Sequence, residues 1–173
     1  LLIQSMLRVT YTSPRTMHWM TKVLRAVLDA EAWGPLPAEN LAENLLGVLR
    51  DYARVKVRAE LMEHGEPKSG FDIARIVFTY VDLLLVSKSP DPEFRFSYRN
   101  SIEHFYPRSP DTEQSGDAVS EDCLNLFGNL ALVSVTANSK FNNSLPKAKA
   151  ENFRTTIEIQ SPKLGRMAAI TRE

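Results

Sequence analysis

The sequence is poor in the features that mark specialised protein classes. A single cysteine, Cys123, excludes an internal disulfide framework and the paired-cysteine zinc sites, and it suits a reducing cytosol. Basic and acidic side chains both number 21, so the formal net charge is zero, which argues against a chain that coats nucleic acid non-specifically. No apolar run reaches the ~18 residues of a membrane span, and the longest candidate, Ile76–Ser87, is interrupted by Asp82. There is no Gly-rich lysine loop, dinucleotide fingerprint or serine elbow, so any nucleotide dependence must come from another part. The start Leu1-Leu2-Ile3 has no initiator Met, basic n-region or small-residue cleavage site. It reads as the cut end of a longer cytoplasmic protein with no membrane partner.

What is present is a globular composition, 43% apolar and 24% charged, at a length that suits one domain or two small ones. The charge is unevenly spread. From Asp82 to Asp122 nine acids face four bases, giving −5, and from Asn138 to Glu173 seven bases face three acids, giving +4. Taken alone, these imbalances describe solvated faces; the second could also turn toward phosphates.

The first half has helical periodicity. Ser13-Pro14 reads as a helix start, followed by Met17, Met20, Val23, Leu24, Val27 and Leu28 at three- and four-residue steps, with Gly34-Pro35 and Pro37 as the stop. The spacing predicts a second helix from about Pro37 to His64 and a third, apolar nearly all round, from about Phe71 to Val86. Trp19, Trp33, Tyr52, Phe78 and Tyr80 are assigned to the bundle core. Lys88-Ser89-Pro90-Asp91-Pro92 breaks the pattern and marks a boundary, separating a helical region over 1–92 from a part with different periodicity. There, Phe94 and Phe96 alternate with Arg95 and Ser97 as in a strand. A polar loop runs from Pro107 to Glu121, and Leu124–Val135 reads as a two-stranded ribbon turning at Gly128-Asn129. Leu145–Thr156 has helical composition, and a basic tail follows over 157–173.

Candidate chemistry centres on one of the three histidines. His18 lies in a Met-rich helix, and His64 sits where it would cap a helix C-terminus. His104 instead follows an acid, in Ile102-Glu103-His104-Phe105-Tyr106-Pro107, between an apparent strand and a loop. Downstream come Phe127-Gly128-Asn129-Leu130 and, nine residues after Asn129, Asn138 in Ala137-Asn138-Ser139-Lys140. A histidine whose ordinary pKa is about 6.5 is largely neutral at pH 7 and can take a proton from water. Cys123, with no base near it in sequence, reads as a small buried apolar residue.

Glu103-His104-Phe105-Tyr106-Pro107, then Leu126-Phe127-Gly128-Asn129-Leu130-Ala131-Leu132-Val133-Ser134, then Asn138-Ser139-Lys140-Phe141-Asn142-Asn143 with Lys147 and Lys149, resembles the HNH (ββα-metal, His-Me finger) domain at the C-terminus of GmrSD-like modification-dependent restriction and phage-defence endonucleases. The resemblance implies a mainly helical fold with a small α+β part: a helical bundle, then a ββα-metal nuclease core over 93–156. It also implies a metal-dependent DNA endonuclease, with His104 as the base and Asn129 supporting the loop and the imidazole. Glu103 and Asn138, with Asn143 able to share the role, would bind one divalent ion, Mg²⁺ ahead of Mn²⁺ or Ca²⁺, and no structural zinc. Lys140, Lys147, Lys149 and Arg154 would contact DNA phosphates. The partners implied are DNA, an N-terminal nucleotide-hydrolysing domain and, for a double-strand break, a second copy. The alternative is a non-catalytic nucleic-acid-binding or regulatory module that keeps the HNH fold.

Glu103 and His104 present one difficulty. Neighbours in a strand point to opposite faces, so the pair shares a site only if the chain bends there.

Overall fold

A computed structural model describes residues 2–32, 34, 37–110 and 119–171. Trp33, the proposed stop at Pro35 and residues 111–118 of the acidic loop lie outside these.

The chain opens on a helix that the periodicity reading did not identify, α1 (Leu2–Thr10), which buries Ile3, Met6, Leu7 and Thr10 along one stripe. Pro14–Thr16 forms a single 3₁₀ turn, so α2 starts later than Ser13-Pro14 suggests, over His18–Glu31. Next come α3 (Ala38–Leu61) and a two-residue hairpin of β1 (Met62–Glu63) with β2 (Glu66–Pro67). His64 is therefore a turn residue and not a helix cap. Its φ of 51° and the 90° of Gly65 give both central positions the left-handed backbone that such a hairpin needs. The third helix, α4 (Arg75–Lys88), begins after a 3₁₀ turn over Gly70–Asp72 and is buried on almost every side, as its composition predicts.

Beyond α4 the elements differ from the sequence expectation. Phe94 and Phe96 are both buried, with rings edge to face at 5.0 Å, but their segment pairs with no strand. Alternation reports which side chains face inward, and an extended segment can meet it without a ladder. The paired strands are β3 (Ser101–His104) and β4 (Leu130–Val133), antiparallel, with Ile102 opposite Leu132, Glu103 opposite Ala131 and His104 opposite Leu130. The ribbon expected within Leu124–Val135 does not form. Leu124 ends a one-turn helix, α5 (Glu121–Leu124), and Gly128-Asn129 belongs to a 3₁₀ turn over Phe127–Asn129 that leads into β4. Four helices follow: α6 (Val135–Phe141), α7 (Pro146–Asn152), α8 (Arg154–Gln160) and α9 (Pro162–Ile170). Ser134 and Ser161 cap α6 and α9 by accepting from the backbone N–H three residues on. The expected basic tail is thus largely a packed helix, with Leu164 and Ala168 buried.

The period-2 alternation of β4 joins two cores. Leu130 and Leu132 pack with Met6, Leu7, Ile76 and Phe78 of the bundle, while Ala131 and Val133 pack with Phe141, Ala150, Ile157 and Leu164 of the later helices. A strand apolar on both faces reads as an unbroken run, which explains why Leu-Ala-Leu-Val carries no alternation. Across the boundary proposed at 92, the Asp82 carboxylate of α4 meets the Arg99 guanidinium at 2.8 Å, both almost fully buried. The other Asp82 oxygen accepts from Ser161 Oγ and the Lys163 backbone N–H. Among the described residues, no helix is long and apolar enough to cross a membrane.

Lys163 ties α9 to the turn before β4. Its ammonium donates to the Phe127 carbonyl at 2.8 Å and to the Leu130 carbonyl, 4.5 Å over the Phe127 ring. Burial pushes this ammonium down from 10.5 to about 8, against the pull of Asp82. The unfolded chain therefore binds more protons between those values, and the group makes stability rise with pH there. Between pH 7.5 and 9.5, urea unfolding should show wild type gaining roughly 2 kcal/mol relative to Lys163→Met. Parallel responses of the two proteins would contradict this placement.

Candidate active site

The pleat of β3 sends Glu103 toward the later helices and His104 toward the bundle. Glu103 is buried, and its Oε1 accepts from Lys149 Nζ at 2.6 Å. The same ammonium donates to the His104 carbonyl at 2.8 Å and the Phe105 carbonyl at 3.0 Å. Lys149 is 1% exposed, so the expectation that it contacts DNA is corrected: its charge is spent inside, on the end of β3. Burial pushes the Glu103 carboxyl up from its ordinary value, and the Lys149 hydrogen bond and charge oppose the shift.

Asn129 extends the strand pairing past His104. Its carbonyl accepts from the Phe105 N–H at 2.8 Å, and its side-chain Oδ1 accepts from the Tyr106 N–H at 2.7 Å. Nδ2 donates to the carbonyls of Tyr106 (3.1 Å) and Leu124 (3.0 Å), so both amide hydrogens are used. The side chain thus braces the loop after His104. The imidazole itself is held by other groups: Nε2 lies 3.2 Å from Asn125 Oδ1, and the Phe71 ring stands edge to face at 5.2 Å. Burial is the main force lowering the His104 pKa below 6.5. Arg108 and Lys149 add to it and the Asn125 hydrogen bond opposes it, so the balance favours the neutral ring.

Both faces of β3 reach one cleft of about 370 Å³, whose lining includes Glu103, His104, Arg108, Asn138, Asn143 and Phe71. Consecutive strand residues can line one cavity here because β3 pairs along only one edge among the described residues, leaving the other edge open. That resolves the opposite-face difficulty without a bend. Asn138 comes from α6, and its Oδ1 is buried with no hydrogen-bond partner. Asn142 ends α6 at φ 45° and starts the turn that carries Asn143 to the rim. Among the described residues, no three His, Cys, Asp or Glu side chains gather as metal ligands. An ion here would rely on one carboxylate and amide oxygens.

Lys140, Lys147 and Arg154 are exposed and lie outside the cleft lining, with Arg154 paired to Glu158 at 2.9 Å. Cys123, expected to be buried, is exposed because α5 is a single turn on the surface. Phe71, Arg108 and Asn125 were not anticipated from the sequence. Phe71 looked like the first residue of a helix, and the one available signal for Asn125 was a second asparagine four positions before Asn129.

The burial of Lys149 separates it from its neighbours on stability. Lys149→Met leaves the buried Glu103 unpaired and should lose about 3–5 kcal/mol in urea unfolding, whereas Lys140→Ala and Lys147→Ala should stay within about 0.5 kcal/mol. Equal, small effects at all three positions would contradict the buried clamp.

No curated protein and no solved structure matches the chain. A family comparison does: the family described as GmrSD restriction endonucleases, C-terminal domain, matches residues 53–170, a span that takes in the end of α3, α4, the paired strands β3 and β4, and α9. Covering more than half of the chain, this match places it in a family: the protein belongs to the GmrSD restriction endonuclease C-terminal domains.

Proposed function

We propose that the cleft is the catalytic centre of a metal-dependent DNA endonuclease of the HNH type, the cutting module of a modification-sensing restriction or phage-defence protein. The observation that carries this reading is the buried, unpartnered Oδ1 of Asn138 in the same cleft as the Glu103 carboxylate and the His104 imidazole. A buried carbonyl oxygen without a donor is costly unless a ligand meets it. The order of strand, strand and helix over Ser101–Phe141 supports the same reading, with His104 ending the first strand and Asn138 in the helix.

In the proposed reaction His104 takes the proton of the attacking water, whose oxygen bonds to phosphorus as the bond to the 3′ oxygen breaks. Asn129 and Lys149 keep the backbone around His104 fixed, the first through Tyr106 and Phe105, the second through the carbonyls of residues 104 and 105. Glu103 and Asn138, with Asn143 beside them, would hold one hard divalent cation such as Mg²⁺, which when bound supplies Lewis-acid charge to the scissile phosphate. Arg108 at the rim, with Lys140, Lys147 and Arg154 outside it, gives the phosphate backbone cationic contacts that set affinity and register but not base choice.

Nicking of a supercoiled plasmid in Mg²⁺ or Mn²⁺ tests this. Wild type should relax the plasmid, and His104→Ala and Asn138→Ala should each cut at least about 100-fold more slowly, with DNA affinity within about twofold. Removing Lys140 and Lys147 should instead weaken binding and lower the salt slope by about 1 per lysine. If wild type and His104→Ala bind DNA equally and neither cuts, the module is a non-catalytic binder.

A further inference from the structure

The imidazole of His104 is gripped by residues that play no part in the scheme above: Asn125, from the connection between β3 and β4, and Phe71, from the turn before α4. Asn125 caps the end of α5, where its N–H donates to the Glu121 carbonyl, and its Oδ1 meets His104 Nε2 at 3.2 Å. An amide oxygen has no hydrogen to give, so this contact puts the ring proton on Nε2 and the lone pair on Nδ1. Asn125 is itself fixed from behind. Its carbonyl accepts from the Gly70 N–H at 3.0 Å. Gly70 has φ +57°, and a Cβ there would lie 3.4 Å from both Cγ and Oδ1 of the asparagine. Glycine thus allows the left-handed turn and the close approach together. The next residue, Phe71, sets its ring edge to face with the imidazole, and the Arg108 guanidinium lies 5.9 Å from the Phe71 ring.

We propose that Asn125 is the positioning residue for His104. Backed by Gly70, it locks the imidazole as the Nε2–H tautomer and leaves Nδ1 as the atom that accepts the proton from water. Asn125 touches no reacting atom, and the proposal rests on the reading of His104 as the base. During attack the water proton moves to Nδ1, and the Nε2–H stays hydrogen-bonded to Asn125 throughout. The wrong tautomer would turn an N–H toward the water and offer it no lone pair. The bundle segment at Gly70-Phe71 and the nuclease segment thereby share one histidine, so the cleft is complete only when both are folded together.

Long-range ¹H–¹⁵N correlation of histidine-labelled full-chain protein, with His104→Ala to assign the signal, reads the tautomer directly. Wild type should show the Nε2–H pattern for His104. Asn125→Ala should lose it and cut plasmid at least about tenfold more slowly, with the loss in kcat and not in DNA affinity. Asn125→Asp, which keeps an acceptor at the same place, should restore both the pattern and most of the rate, a rescue that a merely structural role would not give. An Nδ1–H pattern in wild type overturns the proposal without needing any variant to fold. So does an Asn125→Ala protein with unchanged tautomer and kcat. The two readings fail separately. A wild type that never cuts but shows the Asn125-dependent tautomer sinks the nuclease reading and supports the grip. Cutting that needs His104 but not Asn125 does the reverse.

Discussion

Lys149 reaches from α7 into the end of β3 and donates to oxygens of three consecutive residues, the Glu103 carboxylate and the carbonyls of His104 and Phe105. A buried ion pair is by itself a weak source of net stability, because removing both charges from water offsets most of their attraction. This one also satisfies two carbonyls just where the ladder with β4 runs out, and buried carbonyls without donors are rare. Its contribution is therefore geometric. It fixes the backbone on both sides of His104 and orients the one carboxylate that, among the described residues, borders the cleft.

A second lysine does the same for the opposite strand. Lys163 holds the carbonyls of Phe127 and Leu130, which bracket the turn that presents Asn129, and Asn129 in turn grips Tyr106 across the gap. The two clamps come from α7 and α9, so helices late in the chain set the shape of a cleft walled by residues between Ile102 and Asn143 together with Phe71. The ion pair of Asp82 with Arg99 anchors this assembly to α4, and β4 carries apolar side chains into the cores on both sides. Bundle and cleft are energetically continuous in consequence.

Local signals in the sequence recovered the local features. The helices α2, α3 and α4 are legible because an apolar stripe has a period that depends on near neighbours alone, although Met20, Leu24 and Leu28 of α2 stay exposed. The grouping of Glu103, His104, Asn138 and Asn143 was legible from the motif order, and the cleft gathers those four. Pairing partners were not legible. Leu130–Val133 is apolar on both faces, so nothing in it shows that it joins a strand ending 26 residues earlier at His104. The burial of Lys149 was hidden too, since a lysine between Ala148 and Ala150 on a seven-residue helix looks solvated until its reach into β3 is known. Asn125 and Gly70 are 55 positions apart, and their contact follows from tertiary packing that no local pattern encodes.

We propose that the open edge of β3 and the first turns of α6 form a cation-binding catalytic cleft. Paramagnetic broadening of backbone amides by substoichiometric Mn²⁺ in ¹⁵N-labelled protein tests it most directly. The amide signals of Glu103, His104, Asn138 and Asn143 should be lost selectively and return with excess Mg²⁺. Broadening centred elsewhere on the chain, or none at these residues, would contradict it.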